Sequence, residues 1–185
     1  MSKGALSQQT TELLPKNFGR LIGIAPFAAH QGKMYPLPLM EEVIQMLVDK
    51  KHTILLFGGG KHEENILNGI SNKMGPSVVS VVGKLNFEEE LVLLSNLDAM
   101  LSMDSGNGHL AANYGVPVIT IWGVTHPHAG FAPFGQAPSR SLIPDREVYP
   151  LIPTSIYGNK FPEGYENAIA TIPPLQIVDK IQELL

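Results

Sequence analysis

The chain of 185 residues carries 13 basic and 17 acidic side chains, six histidines and no cysteine, which suits one domain with its own core and excludes disulfides, thiolate metal sites, cysteine nucleophiles and iron–sulfur clusters. A formal net charge of −4 gives no bulk attraction to phosphate backbones and so argues against a general nucleic-acid binder. No apolar run approaches the ~20 residues of a membrane span, and the opening MSKGALSQQTTELLPKNFG is too polar for a signal peptide.

Residues 1–19 show no usable periodicity and read as a linker or tail. From Arg20 the pattern changes. Leu21 to Phe27 (LIGIAPF) is an apolar run of strand length. Leu39, Met40, Val43, Ile44 and Leu47 then recur at helical spacing, with Pro36 and Pro38 ahead as start signals. Thr53 to Phe57 (TILLF) is a second strand, stopped by Gly58-Gly59-Gly60, and Ile66, Leu67 and Ile70 mark the next helix. Ser77 to Val82 is a third strand. Asn86 and Glu89 form an Asn-headed capping box before Leu91, Leu94 and Leu97. Ala99 to Met103 (AMLSM) is a fourth strand, Gly106 to Tyr114 a short helix, and Pro117 to Trp122 a fifth strand.

These strands are continuous apolar runs, as expected when helices cover both faces of a sheet. Strict alternation with helices predicts an α/β fold with a doubly wound, parallel, five-stranded Rossmann-like sheet in the order 3-2-1-4-5. Beyond Gly123 the pattern dissolves until a last helix after Pro173-Pro174. A stretch that long is either functional or packed elsewhere, and is expected to wrap an edge or face.

Ligands of such sheets bind outside the carboxyl ends of the strands, so the loops following strands carry the chemistry. The richest is 103-MDSGNGHLAANYG-115, where small residues and a helix start suit a phosphate or pyrophosphate. Ser105 or Asp104 can cap that helix, and His109 falls in its first turn. Asp104 sits badly against a phosphate, so organising the turn or meeting a sugar hydroxyl suits it better. The same residues also make an ordinary capped turn. Lys33, after the first strand, is placed to neutralise a phosphate, though it is also simply a loop lysine.

The third loop, 58-GGGKHEEN-65, lacks both the Walker spacing and the dinucleotide fingerprint. Glu63 or Glu64 could accept from a ribose there, or could merely serve the helix dipole. His126 and His128 have no third ligand at metal spacing, so no metal is expected. Ser105 lies outside any nucleophile-elbow context.

The stretch 98–135 is similar to the signature of glycosyltransferase family 9, the ADP-heptose:lipopolysaccharide heptosyltransferases. Its ordered matches are Asp104, Ser105, Gly106, His109, Leu110, Ala111, Ala112, Gly115 and Pro117, then Gly123, Thr125 and Pro133-Phe134-Gly135. Upstream, Lys33, Tyr35 and Pro36, then Gly59-Gly60 with Glu63 or Glu64, and Val82-Gly83-Lys84-Leu85 extend the likeness over roughly 20–135. The resemblance implies the GT-B architecture, two Rossmann-like domains with a cleft between them. It makes residues 20–185 the C-terminal, donor-binding domain of a bacterial, cytoplasmic protein. The N-terminal acceptor domain, with its catalytic base, would be absent from this chain.

By the same resemblance Lys33 contacts donor phosphate or sugar, and Glu63 or Glu64 meets the ribose. Leu85 lines the adenine pocket, while Asp104, Ser105, Gly106 and His109 hold pyrophosphate and sugar. The implied reaction is inverting and metal-independent, with no cofactor. Its donor is a nucleotide-diphosphate sugar, ADP-heptose by family. Its acceptor is lipopolysaccharide core or another surface glycan, met through the missing domain, with the full protein peripheral at the inner face of the membrane. Two departures stand out. Ala28-Ala29 replace a pair of hydroxyl residues, and His30 or Gln31 replaces a basic one. The alternative is a non-catalytic nucleotide-binding or interaction module of the same fold.

Overall fold

The structure, a computed structural model, describes residues 3–16 and 18–185. Its centre is a six-stranded, all-parallel sheet in the order β3-β2-β1-β4-β5-β6. The strands are β1 (Leu21–Ala25), β2 (Thr53–Leu56), β3 (Val78–Ser80), β4 (Ala99–Met103), β5 (Val118–Ile121) and β6 (Ser141–Leu142). The five-strand order expected from sequence is present, with β6 added at one edge.

Around the sheet run α1 (Gln8–Leu13), α2 (Leu37–Asp49), α3 (Gly60–Met74), α4 (Phe87–Ser95), α5 (Gly106–Asn113) and α6 (Pro174–Gln182). Successive strand residues face opposite sides. Ile54 and Leu56 pack with Met40, Ile44, Leu67 and Ile177, on the side of α2, α3 and α6. Leu55 and Phe57 pack with Leu93, Leu94 and Ala111, on the side of α4 and α5. Both faces are therefore dry, and β1, β2, β4 and β5 are buried throughout.

Local chemistry agrees with this arrangement. On α2, Met40, Val43, Ile44 and Leu47 form one buried stripe after the Pro36 cap. The expected capping box opens α4: Asn86 accepts from the Glu89 N–H, and Glu89 accepts in return from the Asn86 N–H.

One stretch differs from the sequence reading. Residues 1–19, read as a linker or tail, carry α1, with Ser7 accepting from the Thr10 N–H at 3.1 Å. Ser7 also donates to Glu89, Gln9 donates to the Lys84 carbonyl, and Leu14 is buried with the α4–α5 core. Met1, Ser2 and Asn17 of that stretch lie outside the described residues. The helix is held by tertiary contacts that an apolar repeat does not record.

The segment after Gly123 wraps an edge of the sheet, as expected, and is packed there. It adds β6, buries Leu142, Ile152, Ala168, Ile169 and Ile172, and receives a 2.6 Å hydrogen bond from the Tyr35 hydroxyl at the Ile172 carbonyl. Burial, with Glu42 nearby, pushes that hydroxyl's pKa up to about 12, so it stays a donor. In between, the chain crosses back over the ends of β1 and β5.

Candidate functional site

The strand order reverses between β1 and β4, and the loops leaving these two strands meet there. Asp104, directly after β4, is 6% exposed, and its Oδ2 lies 3.0 Å from Lys33 Nζ of the β1–α2 loop. The same oxygen accepts a 3.0 Å hydrogen bond from the Thr125 hydroxyl, which follows β5. The ends of three adjacent strands are thus tied through one carboxylate. Lys33 is 14% exposed, so the pair is largely withdrawn from water and weakly screened.

Close backbone approach makes this possible. The Val124 N–H donates to the Gly32 carbonyl at 2.9 Å, and a side chain at Gly123 would collide with that same carbonyl oxygen. Glycine is required at 123 by contact, not by dihedral freedom.

Beside the pair, Ser105 holds the N-cap position of α5 in extended backbone but makes no side-chain cap bond. Its hydroxyl is buried and without a hydrogen-bond partner among the described residues. The first-turn N–H groups of α5 therefore remain free of a side-chain cap, with a small exposed residue, Gly106, at the helix start. Free N–H groups, a positive dipole end and an orphaned hydroxyl are features that suit an anionic oxygen. His109 is half-buried on the first turn of that helix.

The acidic candidates divide. Glu63 turns one oxygen back to the Gly59 N–H at 2.7 Å, and it borders a cavity of about 530 Å³. Phe27, Ala28, Gln31, Ile66 and Asn167 share that cavity, which places it beside the β1 loop. Glu64 instead pairs with Lys61 at 3.0 Å and lies against Gly83. Leu85, two residues on, packs against the α4–α5 core. The structure thus brings Lys33, Asp104 and the α5 start together and sets Glu63 on the adjoining cavity. Glu64, on α3, lies against the Gly83 turn that leads to Leu85, and neither residue lines the cavity.

Two participants escaped the sequence reading of individual residues. Thr125 stood in the G-x-T match but was given no role. Gly158 lay in the unpatterned segment. Its only local signal was a glycine between Tyr157 and Asn159.

His126, next to Thr125, is buried, and its Nδ1 accepts the His128 N–H at 3.3 Å. That bond requires the neutral ring. Burial first, then the charges of His128 and Arg146, hold its pKa below the ordinary 6.5. A lowered folded-state pKa means that stability present above about 6.5 is lost as pH falls below it. In His126→Asn, which keeps an N-cap acceptor without a titrating ring, the urea midpoint is expected to fall less between pH 7 and pH 5 than in the parent. Equal falls would remove His126 from the acid response.

Sheet, switch point and open helix start define a Rossmann-like domain with a crevice at the ends of β1 and β4. The family model for glycosyltransferase family 9 (heptosyltransferase) matches residues 2–140. The chain belongs to that family. It is 27% identical over 169 residues to lipooligosaccharide heptosyltransferase 2 of Haemophilus influenzae, covering 89% of this chain and 47% of the relative. It is 23% identical to lipopolysaccharide heptosyltransferase 2 of Escherichia coli, covering 100% of this chain and 52% of the relative. Among solved structures, E. coli ADP-heptose lps heptosyltransferase II superposes with a TM-score of 0.73 at 17% identity, over 97% of this chain and 52% of that one. E. coli heptosyltransferase WaaC with ADP-2-deoxy-2-fluoro heptose gives 0.67 at 21%, over 93% and 45%. The chain spans about half the length of the relatives it matches, and the fold is that of one half of these GT-B neighbours.

Proposed function

We propose that residues 20–185 form the donor-binding half of a heptosyltransferase that takes a heptose-like sugar from ADP-heptose to a lipopolysaccharide core. The observation that carries this reading is the α5 start, uncapped and flanked by the orphaned Ser105 hydroxyl and the Lys33–Asp104 pair. Relatives described as binding ADP, or an ADP-heptose analogue, share the fold. No helix among the described residues is long and apolar enough to cross a membrane.

The chemistry assigned to this half is stabilisation of the leaving group. A base in the companion domain removes the proton of an acceptor hydroxyl. The acceptor oxygen then attacks the anomeric carbon as the bond to the diphosphate oxygen breaks, inverting that centre. Negative charge accumulates on the departing ADP, where the α5 N–H groups, Ser105 and the Lys33 ammonium receive it. Asp104 keeps Lys33 in place and can turn its second oxygen toward a sugar hydroxyl. Glu63 bounds the cavity proposed for the nucleoside. The reaction as written uses no metal and no cofactor.

Two observations favour the rival, a nucleotide-binding module without turnover: Lys33 is already neutralised by Asp104, and Ala28-Ala29 offer no hydroxyls. The two readings separate by experiment. The purified 185-residue chain is expected to bind ADP weakly and to transfer or hydrolyse nothing, because half a cleft supplies half the contacts. Adding a family 9 N-terminal domain in trans should produce heptose transfer, which Lys33→Met reduces. Donor hydrolysis by the chain alone, abolished by Asp104→Ala, would contradict the two-domain assignment. Continued silence with the added domain would favour the rival.

A further inference from the structure

The segment 154–161 crosses directly over Lys33. The Thr154 N–H donates to the Val124 carbonyl at 2.9 Å, and the Thr154 hydroxyl donates to the Lys160 carbonyl at 2.7 Å, closing the segment into a strap. At its centre Gly158 is buried, with φ of +73°. A methyl group at Gly158 would stand 2.5 Å from Lys33 Cγ, 2.6 Å from Cδ and 3.1 Å from the Thr125 methyl. On the other side, a methyl group at Gly32 would stand 2.8 Å from the Gly158 carbonyl oxygen and 3.0 Å from the Phe161 ring. The lysine stem therefore runs through a slot whose roof is the bare Gly158 backbone.

A lysine has a flexible four-carbon stem and three freely rotating donors, so an ion pair alone fixes its charge poorly. Here the stem is confined by packing at Cγ and Cδ, and the ammonium stands at Asp104 Oδ2. From this we infer that the 154–161 strap is a positioning element for Lys33, with Gly158 the residue that sets where the ammonium stands. The inference rests on the diphosphate reading for its consequence in binding, but not for the position of the ammonium itself.

A separate control lies just beyond the strap. Gly164 also has positive φ, +88°, but open space where a side chain would go. Gly164→Ala therefore reports backbone strain alone, while Gly158→Ala adds the push on Lys33. Gly158→Ala is expected to move the Lys33 ammonium nitrogen resonance and to weaken ADP binding roughly fivefold, the scale of one impaired charge-assisted hydrogen bond. Adenosine binding should stay the same, and Gly164→Ala should change neither resonance nor affinity.

The effect must vanish where there is no ammonium to misplace. In a Lys33→Met background the stem remains but the charge does not, so adding Gly158→Ala should leave ADP affinity where Lys33→Met alone puts it. A fivefold loss in both backgrounds, or an unmoved Lys33 resonance in Gly158→Ala, would overturn the positioning role. Failure of the diphosphate reading looks different: Lys33→Met itself would bind ADP like the parent, whatever the resonance does. Should Gly158→Ala not fold, Phe161→Leu loosens the strap without adding atoms and takes its place. A shifted Lys33 resonance then supports the inference, and an unmoved one ends it.

Discussion

Asp104→Ala is expected to destabilise the chain by about 3 kcal/mol, read as a fall in the urea midpoint at unchanged slope. Removing one partner of a buried ion pair costs ~3–5 kcal/mol, because the other charge stays buried and unpaired. The lower end applies here because Lys33 keeps 14% exposure and can recruit some water. The Thr125 hydroxyl, which donates to the same oxygen, is orphaned as well. Asp104→Asn keeps the shape and an acceptor for Thr125 but not the charge, so it should cost roughly half as much. If Asp104→Ala proved as stable as the parent, the tie between the ends of β1, β4 and β5 would not hold the crevice together.

Lys33→Met is expected to weaken ADP binding by ~1–3 kcal/mol while leaving adenosine almost untouched. Methionine fills the slot beneath Gly158 with a similar stem, so the loss reflects changed charge and not lost packing. The Asp104 carboxylate, left without its partner, then adds repulsion toward the diphosphate. His109→Ala should act in the same direction, and its effect should add less than fully to that of Lys33→Met, since both groups face one ligand. Calorimetric titration of ADP and of adenosine against both variants checks this. Equal losses for ADP and adenosine would point to a collapsed site instead of a missing charge.

Much of this architecture was legible because a parallel sheet covered on both faces writes its strands as apolar runs. TILLF and AMLSM can be nothing half-exposed, and β2 and β4 are buried on both faces. Asn86 and Glu89 announced α4 through chemistry local to four residues. The two-residue β6 carried no such signal, since its place is fixed by pairing of Thr120 with Ser141 and Ile121 with Leu142. Helix α1 was hidden for a related reason: QQTTEL has little apolar periodicity, and the helix is held by Ser7, Gln9 and Leu14 reaching other elements.

The site divides along the same line. Loops after β1 and β4 were expected to be neighbours from strand order alone, and they are. That Lys33 would spend its charge on Asp104 depends on side-chain reach across the crevice, which no spacing in the chain records. The role of Gly158 depends on a strap without periodicity, anchored by single hydrogen bonds.

The central claim is that the α5 start and Lys33 together form a diphosphate site. Titrating the unmodified chain with ADP and with adenosine under the same salt tests it most directly. ADP is expected to bind at least about tenfold more tightly, as one or two charge-assisted hydrogen bonds require, and the backbone amide resonances of Ser105, Gly106 and Asn107 are expected to shift only with ADP. Equal affinities, or ADP shifts confined to residues away from that turn, would contradict it.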